Sequence, residues 1–306
     1  MTTPIKRDRS PKQKITISID SDLLKQVEAR VDGIFIRSRS DAIEKSLLEY
    51  FSRMKRAVIL AGGEPERIYI NELSKYAPLC LINEKTLVED TLIKCKRAGF
   101  DDIIIIGFRD INTQLFNVLG DGDQLGVNIK YVEERKPLGV AKTLEVARDF
   151  LKTDFLMIPG DCFLNFDLNK LHEFHLMHSG IATLAIYSRR DFDYDFHPEL
   201  WRGIVELSGA NIVFYEEKPE KAKTHLLSTL IGFLSPEIFN YIPDGSTPCS
   251  LQEEIFPQLA EEHRLYGFIF VGDWVNIHTK EDVELVKKLS RANHTSKLTS
   301  HETSTQ

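Results

Sequence analysis

From Lys14 the chain reads K-I-T-I-S-I-D, with Ile15, Ile17 and Ile19 alternating against Lys14, Thr16 and Ser18. A period of two over so few residues predicts a short, half-buried strand. Asp20 and Ser21 then offer capping oxygens ahead of Leu23, Leu24, Val27 and Val31, spaced as one face of a short helix. Past Gly33, an S-x-x-D box (Ser38 to Asp41) precedes Ala42, Ile43, Leu47, Leu48 and Phe51, the start of a second amphipathic helix. Residues 52–55 link this to a new apolar run at 57–60. Further strand-like runs at 103–106, 129–132, 155–158 and 182–186 are separated by amphipathic stretches such as 86–98 and 139–151. That alternation predicts an α/β domain with a mainly parallel, Rossmann-like sheet. The expected organisation is a basic disordered arm over 1–13, a small unit over 14–52, the α/β domain over 56–289 and a polar disordered tail over 290–306.

Composition changes this picture in three places. The chain has 306 residues, 42% hydrophobic, enough for one large core and a smaller unit. Its formal net charge of -7 argues against general affinity for nucleic acid, yet Lys6, Arg7, Arg9, Lys12 and Lys14 face only Asp8 within the first 14 residues, a basic arm on an acidic body. Cys80, Cys95, Cys162 and Cys249 are widely spaced, as free thiols in a reducing compartment are. With no apolar run long enough to span a bilayer and no signal-peptide pattern, the expected location is the cytoplasm.

A strand and two helices in under 40 residues cannot bury three isoleucines and two apolar helix faces alone, so the first unit is expected to complete its core with a second copy. Here residues 14–51 resemble the ribbon-helix-helix family, whose paired strands form an antiparallel ribbon in the DNA major groove. The resemblance implies a homodimer that binds DNA. Lys14, Thr16 and Ser18 would face base edges, while Ser38 and Arg39 at a helix N-terminus would grip a phosphate.

In the larger domain, the first strand runs into Leu60-Ala61-Gly62-Gly63-Glu64-Pro65-Glu66-Arg67, a glycine turn of the kind that admits a phosphate. Pro137-Leu138-Gly139-Val140-Ala141, Ile158-Pro159-Gly160-Asp161, Glu217-Lys218-Pro219 and Trp274-Val275-Asn276-Ile277-His278 follow in order. Together these segments resemble the sugar-1-phosphate nucleotidyltransferase family over nearly all of residues 56–288. The resemblance implies that a sugar phosphate attacks the α-phosphorus of a nucleoside triphosphate with Mg²⁺ as cofactor. Carried residue by residue, Gly62, Gly63 and Arg67 would cradle phosphates, Glu134 and Gly139 would border the base, and Asp161 would hold the metal. Gly203, Glu217, Lys218 and Gly232 would line the sugar-phosphate side, with Arg67, Asp161 and Lys218 carrying the catalysis.

Several positions depart from that family's pattern. Pro65 and Glu66 replace the second glycine and the small hydroxyl residue of the loop, removing an amide donor and adding a carboxylate. Ala77 stands where a lysine is expected on the α-phosphate, and Asn276 where a second metal-binding aspartate is expected. Lys75 or Lys142 could supply a relocated cation, whereas Asp273, three residues before Asn276 on a strand, points to the opposite face. These losses at the reacting phosphates, beside an intact sugar side, lead to the expectation of a DNA-binding transcriptional regulator that senses a nucleotide, sugar phosphate or nucleotide sugar. The alternative is an active Mg²⁺-dependent transferase that its N-terminal module dimerises or regulates; a scaffold clipped into dimers is a third reading. His172, His175 and His178 share a predicted helix at a spacing that could hold zinc, but no carboxylate or cysteine motif accompanies them, so a solvated face is expected.

Overall fold

The computed structural model describes residues 15–33, 36–53, 55–63, 65–188, 203–220 and 223–302. It divides into two units, Met1–Arg53 and Met54–Gln306. The basic arm and Lys14 lie outside the described residues.

In the first unit, the Asp20 carboxylate caps α1 (Ser21–Ala29), accepting from the amides of Asp22 at 2.8 Å and Leu23 at 3.2 Å. Ser38 Oγ accepts from Asp41 N at 3.2 Å at the start of α2 (Arg39–Arg53), while the Asp41 carboxylate reaches back to Arg37 N at 2.9 Å. Val27 and Ala42 are buried, and the helices are tied by Arg39 to Glu28 at 2.5 Å and Arg30 to Ser46 at 2.8 Å. Arg39 therefore links the two helices. The expected ribbon strand does not form within the chain. Residues 15–20 carry no strand, and Ile15 and Ile17 are as exposed as Thr16 and Ser18. A strand gains its stability from a neighbour, and a single chain supplies none here.

The second unit begins with β1 (Lys55–Ala61), the glycine turn and a one-turn helix α3 (Pro65–Ile68). Four two-residue strands follow, β2 (Tyr69–Ile70), β3 (Lys75–Tyr76), β4 (Leu81–Ile82) and β5 (Lys85–Thr86). Next come α4 (Leu87–Arg97), β6 (Phe100–Gly107), α5 (Arg109–Leu119), β7 (Asn128–Glu133), α6 (Val140–Glu145), β8 (Phe155–Pro159), β9 (Cys162–Asn165) and α7 (Leu168–Leu176). The remainder is β10 (Ala182–Ser188), β11 (Ile204–Ser208), β12 (Asn211–Glu216), β13 (Leu226–Leu234), α8 (Phe256–Glu261), β14 (Leu265–Ile269), β15 (Asp273–Asn276) and α9 (Lys280–Glu302).

Nine strands form one sheet in the order β10-β14-β12-β11-β13-β8-β1-β6-β7. The expectation of a mainly parallel sheet is corrected to a mixed one. Strands β8, β1, β6 and β7 are parallel, but β13 joins β8 antiparallel, and β11, β12 and β10 add further antiparallel pairs. Periodicity along a buried run reports burial on both faces and carries no information on the direction of the neighbour. The parallel half shows that burial clearly. Ile104 and Ile106 enter one core with Val58 and Met157, whereas Ile103 and Ile105 enter the opposite core with Ala57, Ile59 and Leu156. On the C-terminal side, α9 extends as far as Glu302 into the polar segment expected to be a disordered tail.

The three histidines do not share a solvated helix face, and His178 lies beyond the end of α7. His175 is buried, with Nδ1 2.9 Å from Thr183 Oγ1 and Nε2 3.2 Å from Asp154 Oδ2, whereas His178 Nδ1 donates to the Phe174 carbonyl at 2.6 Å. His172 stands beside the Phe100 and Phe233 rings. Burial, and then the nearby Lys55 ammonium, lower its pKa from 6.5. Since the folded state favours the neutral ring, this group's contribution to stability is present above that value and is lost as pH falls through it towards the lowered one. The urea midpoint is expected to fall from about pH 7 to about pH 5, and less steeply in His172→Phe. An equal slope in the variant would rule out this linkage.

Candidate functional site

At the end of β1 the chain turns over a carboxylate. Glu134 is buried, and its Oε2 accepts from Gly63 N at 2.8 Å while its Oε1 accepts from Thr143 Oγ1 at 2.5 Å. A Cβ on Gly62 would lie 2.0 Å from Glu134 Oε2, so a larger residue there would displace this carboxylate. Gly63, with φ +96°, completes the turn. Two readings change as a result. Glu134 supports the turn from beneath and does not line the cavity above it. The Gly63 amide is spent on Glu134 and is not presented to a phosphate.

The cavity above the turn encloses about 320 Å³ and opens at the carboxyl ends of the parallel strands. It brings together Gly62, Gly63, Arg67, Gly139, Asp161, Gly203, Glu217, Lys218 and Asn276, residues spread over more than 200 positions of sequence. Opposite charges converge in it: Arg67 and Lys218 against Asp161 and Glu217. One wall is the loop at 137–140. Cys249 N donates to Leu138 O at 2.8 Å and Ala141 N donates to Cys249 O at 3.2 Å, which straps that loop to the segment ahead of α8. Gly139 has φ +94°, and a Cβ there would lie 2.4 Å from Cys249 O.

At the other end, Asp161 follows β8, where Gly160 N donates to Leu60 O at 2.8 Å. β15 pairs antiparallel with β9, placing Asn276 opposite Cys162, and Ile277 N donates to Asp161 O at 2.7 Å. Trp274 and Asn276 both line the cavity, consistent with the two-residue repeat of a strand, while Asp273 accepts from Asn165 Nδ2 at 3.2 Å. Trp274 Nε1 and Asn276 Oδ1 are buried and have no hydrogen-bond partner among the described residues. A buried polar atom without a partner is costly in a folded protein, and two of them in one wall mark a place for a ligand.

Such an oxygen set can be tested against a divalent metal. Mg²⁺ takes hard oxygen ligands, commonly one or two carboxylates with the remainder from water and substrate phosphates. The Asp161 carboxylate and the unpartnered Asn276 amide oxygen fit that requirement with one charge fewer than a pair of aspartates. Among the described residues, no group of three or more His, Cys, Asp or Glu side chains is arranged to hold a metal, including the α7 histidines.

The wall expected to take a sugar phosphate is built on the antiparallel half. Ser228 N donates to Gly203 O at 2.8 Å, and a Cβ on Gly203 would lie 2.3 Å from Tyr215 Oη. Tyr215 Oη donates to Glu217 Oε2 at 3.3 Å. Burial, then the Glu217 carboxylate, push the phenol well above its ordinary value, so it remains a donor. Lys218 is exposed and sits at φ +48°, a left-handed backbone uncommon for lysine that turns the chain at the rim.

Several residues singled out in the sequence stand away from the cavity. Gly232 does not line it; the residue packs β13 against β10, where a Cβ would come within 2.3 Å of Thr183 O. Ala77 is fully buried in a cluster with Ile70, Ile82 and Ile277, so no cation could replace it without opening that core. Of the two lysines that could supply a relocated cation, Lys142 is buried and bonded to Glu145 at 2.8 Å and to the Pro243 carbonyl, and Lys75 is exposed outside the lining. Glu66 is exposed on α3 and also lies outside it. Sequence reasoning in turn missed Tyr215, Ser228, Leu230, Gln252 and His278. Tyr215 was within reach, being two residues before Glu217 at the end of β12, a spacing that shares one face in extended chain. Ser228 and Gln252 belong to no motif that marks them.

Comparison with known proteins agrees with this geometry. The family model of nucleotidyl transferases matches residues 56–290. A mannose-1-phosphate guanyltransferase of Saccharomyces cerevisiae is 27% identical over 233 residues, and mannose-1-phosphate guanylyltransferase 1 of Arabidopsis thaliana is 27% identical over 235. Each alignment takes in 74% of this chain and 62% of the relative, so the chain spans about three fifths of the length of those relatives. Among solved structures, a putative glucose-1-phosphate thymidylyltransferase from Bacillus anthracis superposes with a TM-score of 0.68 at 23% identity, covering 78% of this chain and 95% of that one; this likeness bears on fold alone. No described helix is long and apolar enough to cross a membrane. These matches overturn the expectation of a DNA-binding transcriptional regulator with a sensor domain, because the matched relatives are named as sugar-phosphate transferases. By the extent of the match and the order of its motifs, the chain belongs to the nucleotidyl transferase family.

Proposed function

We propose that this protein is an active, Mg²⁺-dependent sugar-1-phosphate nucleotidyltransferase, joining a nucleoside triphosphate to a hexose 1-phosphate with release of pyrophosphate. The observation that carries the reading is the single cavity in which Arg67, Asp161, Asn276 and Lys218 converge from four separate segments. The names of the yeast and plant relatives support GTP and mannose 1-phosphate as the first substrates to test.

In this reaction an oxygen of the sugar phosphate attacks the α-phosphorus, and the bond to the bridging oxygen of pyrophosphate breaks. A phosphate monoester carries most of its second negative charge at neutral pH, since its second pKa is about 6, so the nucleophile needs no general base. The demand on the protein is to bring two anions together and stabilise the charge that shifts to the leaving group. Lys218, beside Glu217 and Tyr215, holds the sugar phosphate. Arg67, on the helix that follows the glycine turn, faces the departing pyrophosphate. Asp161 and Asn276 would hold Mg²⁺, which supplies charge neutralisation at the phosphates when bound. Ala77 offers no cation, so Arg67 and Lys218 carry the cationic part of the work. Glu134 keeps the turn shaped before any ligand arrives, a preorganised support for the nucleotide.

The test is pyrophosphate release by the full chain with Mg²⁺, GTP, ATP, UTP or dTTP, and mannose or glucose 1-phosphate. Turnover with one of these pairs is the expected result. A flat response across the whole set, with a folded protein, would overturn the proposal.

A further inference from the structure

Strand β13 does not pass evenly along its neighbour. Its pairing with β10 is in register at Ser228 with Ile186 and again at Gly232 with Leu184, so Thr229, Leu230 and Ile231 face the single residue Ala185. Excess residues of this kind bend a strand and re-aim a side chain, and such bulges concentrate next to active sites. Here the bulge is held in place. Thr229 Oγ1 donates to Ala185 O at 2.8 Å and accepts from Ile231 N at 3.2 Å, replacing ladder bonds that the bulge interrupts. Gly232 then lets β13 return close to β10.

At the apex, Leu230 has φ +61°. Asn, Asp or Gly takes up this left-handed backbone readily, whereas a branched apolar residue does so against a steric cost. Leu230 is half-buried, packs on the core beneath and lines the cavity. The side chains around it on the sugar side are polar: Tyr215, Glu217, Lys218, Ser228 and Thr229. An apolar group is thus held in a strained conformation at one point of an otherwise hydrogen-bonding wall.

We infer that Leu230 is a specificity-determining residue that selects a sugar 1-phosphate carrying hydrogen or methyl, in place of a hydroxyl, on the carbon that meets the bulge. The inference rests on the sugar-nucleotidyltransferase reading of the cavity. A hydroxyl placed against Leu230 would give up its hydrogen bonds to water and find no partner there, whereas a deoxygenated carbon would gain contact with the side chain.

The experiment is calorimetric binding of mannose 1-phosphate, glucose 1-phosphate and their singly deoxygenated analogues to the full chain, with Mg²⁺ and a non-reacting GTP analogue present. One deoxy analogue is expected to bind more tightly than its parent by on the order of 100-fold, the usual limit for discrimination against an added hydroxyl by an apolar contact. Leu230→Asn, which the left-handed backbone accepts, and Leu230→Gly, which removes the apolar group without adding a donor, are each expected to cut that preference at least tenfold, with Tm as the check on folding. Equal binding of every parent and analogue, or a preference that survives both substitutions, overturns the inference. Failure of all the sugar phosphates to bind, with the GTP analogue still bound, overturns the underlying reading and the inference with it.

Discussion

An Asp161→Asn enzyme is expected to release pyrophosphate about 100- to 1,000-fold more slowly than the parent. The estimate follows from charge. Of the described residues lining the cavity only Asp161 and Glu217 are acidic, and Glu217 is engaged by Tyr215. On the proposed function Asp161 is therefore the carboxylate that would meet the metal. One unit of charge about 4 Å away at an effective dielectric near 20 is worth roughly 4 kcal/mol, which corresponds to about a thousandfold in rate. The substitution is close to isosteric, and the Asp161 backbone carbonyl still accepts from Ile277 N, so the fold should persist. The complementary change, Asn276→Asp, adds a carboxylate where the structure has an unpartnered amide oxygen, and is expected to tighten Mn²⁺ binding about tenfold or more. Titration with Mn²⁺ reads both variants independently of turnover. Unchanged metal affinity and rate in Asp161→Asn would remove this residue from the reaction centre.

Gly139→Ala is expected to destabilise the protein by about 3 kcal/mol or more. Two effects act in the same direction. The residue sits at φ +94° and ψ 158°, a backbone region that essentially only glycine occupies, and the added Cβ would lie 2.4 Å from Cys249 O and 2.8 Å from the Cys249 carbonyl carbon. Backbone atoms cannot yield as a flexible side-chain tip can. The strap between Leu138, Ala141 and Cys249 must open, and with it the wall formed by Pro137, Gly139 and Val140. A lowered urea midpoint together with a raised KM for the nucleotide is the expected pair of results. Parent-like values for both would show that the loop relaxes freely.

Legibility differed between the parts of the chain for physical reasons. The buried runs at 57–60, 103–106 and 155–158 declare strands because both faces are covered, and capping residues such as Asp20 and Ser38 mark helix starts through local hydrogen bonds. Direction of pairing has no such local signal, which is why β13 and its antiparallel neighbours were not foreseen. The ordered motifs located the cavity, since glycine turns and strand ends are where ligands collect. Side-chain roles within it were less accessible. Glu134 has the composition of a binding residue and the environment of a buried support; only the Gly63 and Thr143 contacts separate the two. Lys142 looked like a spare cation until its partners Glu145 and Pro243 were placed beside it. The bulge at Leu230 breaks the very periodicity that sequence reasoning relies on.

The pairing of β15 with β9 has a consequence for how the cavity forms. Asp161 lies beside the early half of the domain, but its companion Asn276 is on the last strand of the chain, more than 100 residues later. On a ribosome, the turn that Glu134 supports and the parallel strands around β1 can be assembled while the metal end still lacks one of its walls. Contacts so distant in sequence are also among the slowest to form in free refolding. On the proposed function the cavity is therefore completed last, and a chain that stops short of β15 would lack Asn276 beside Asp161.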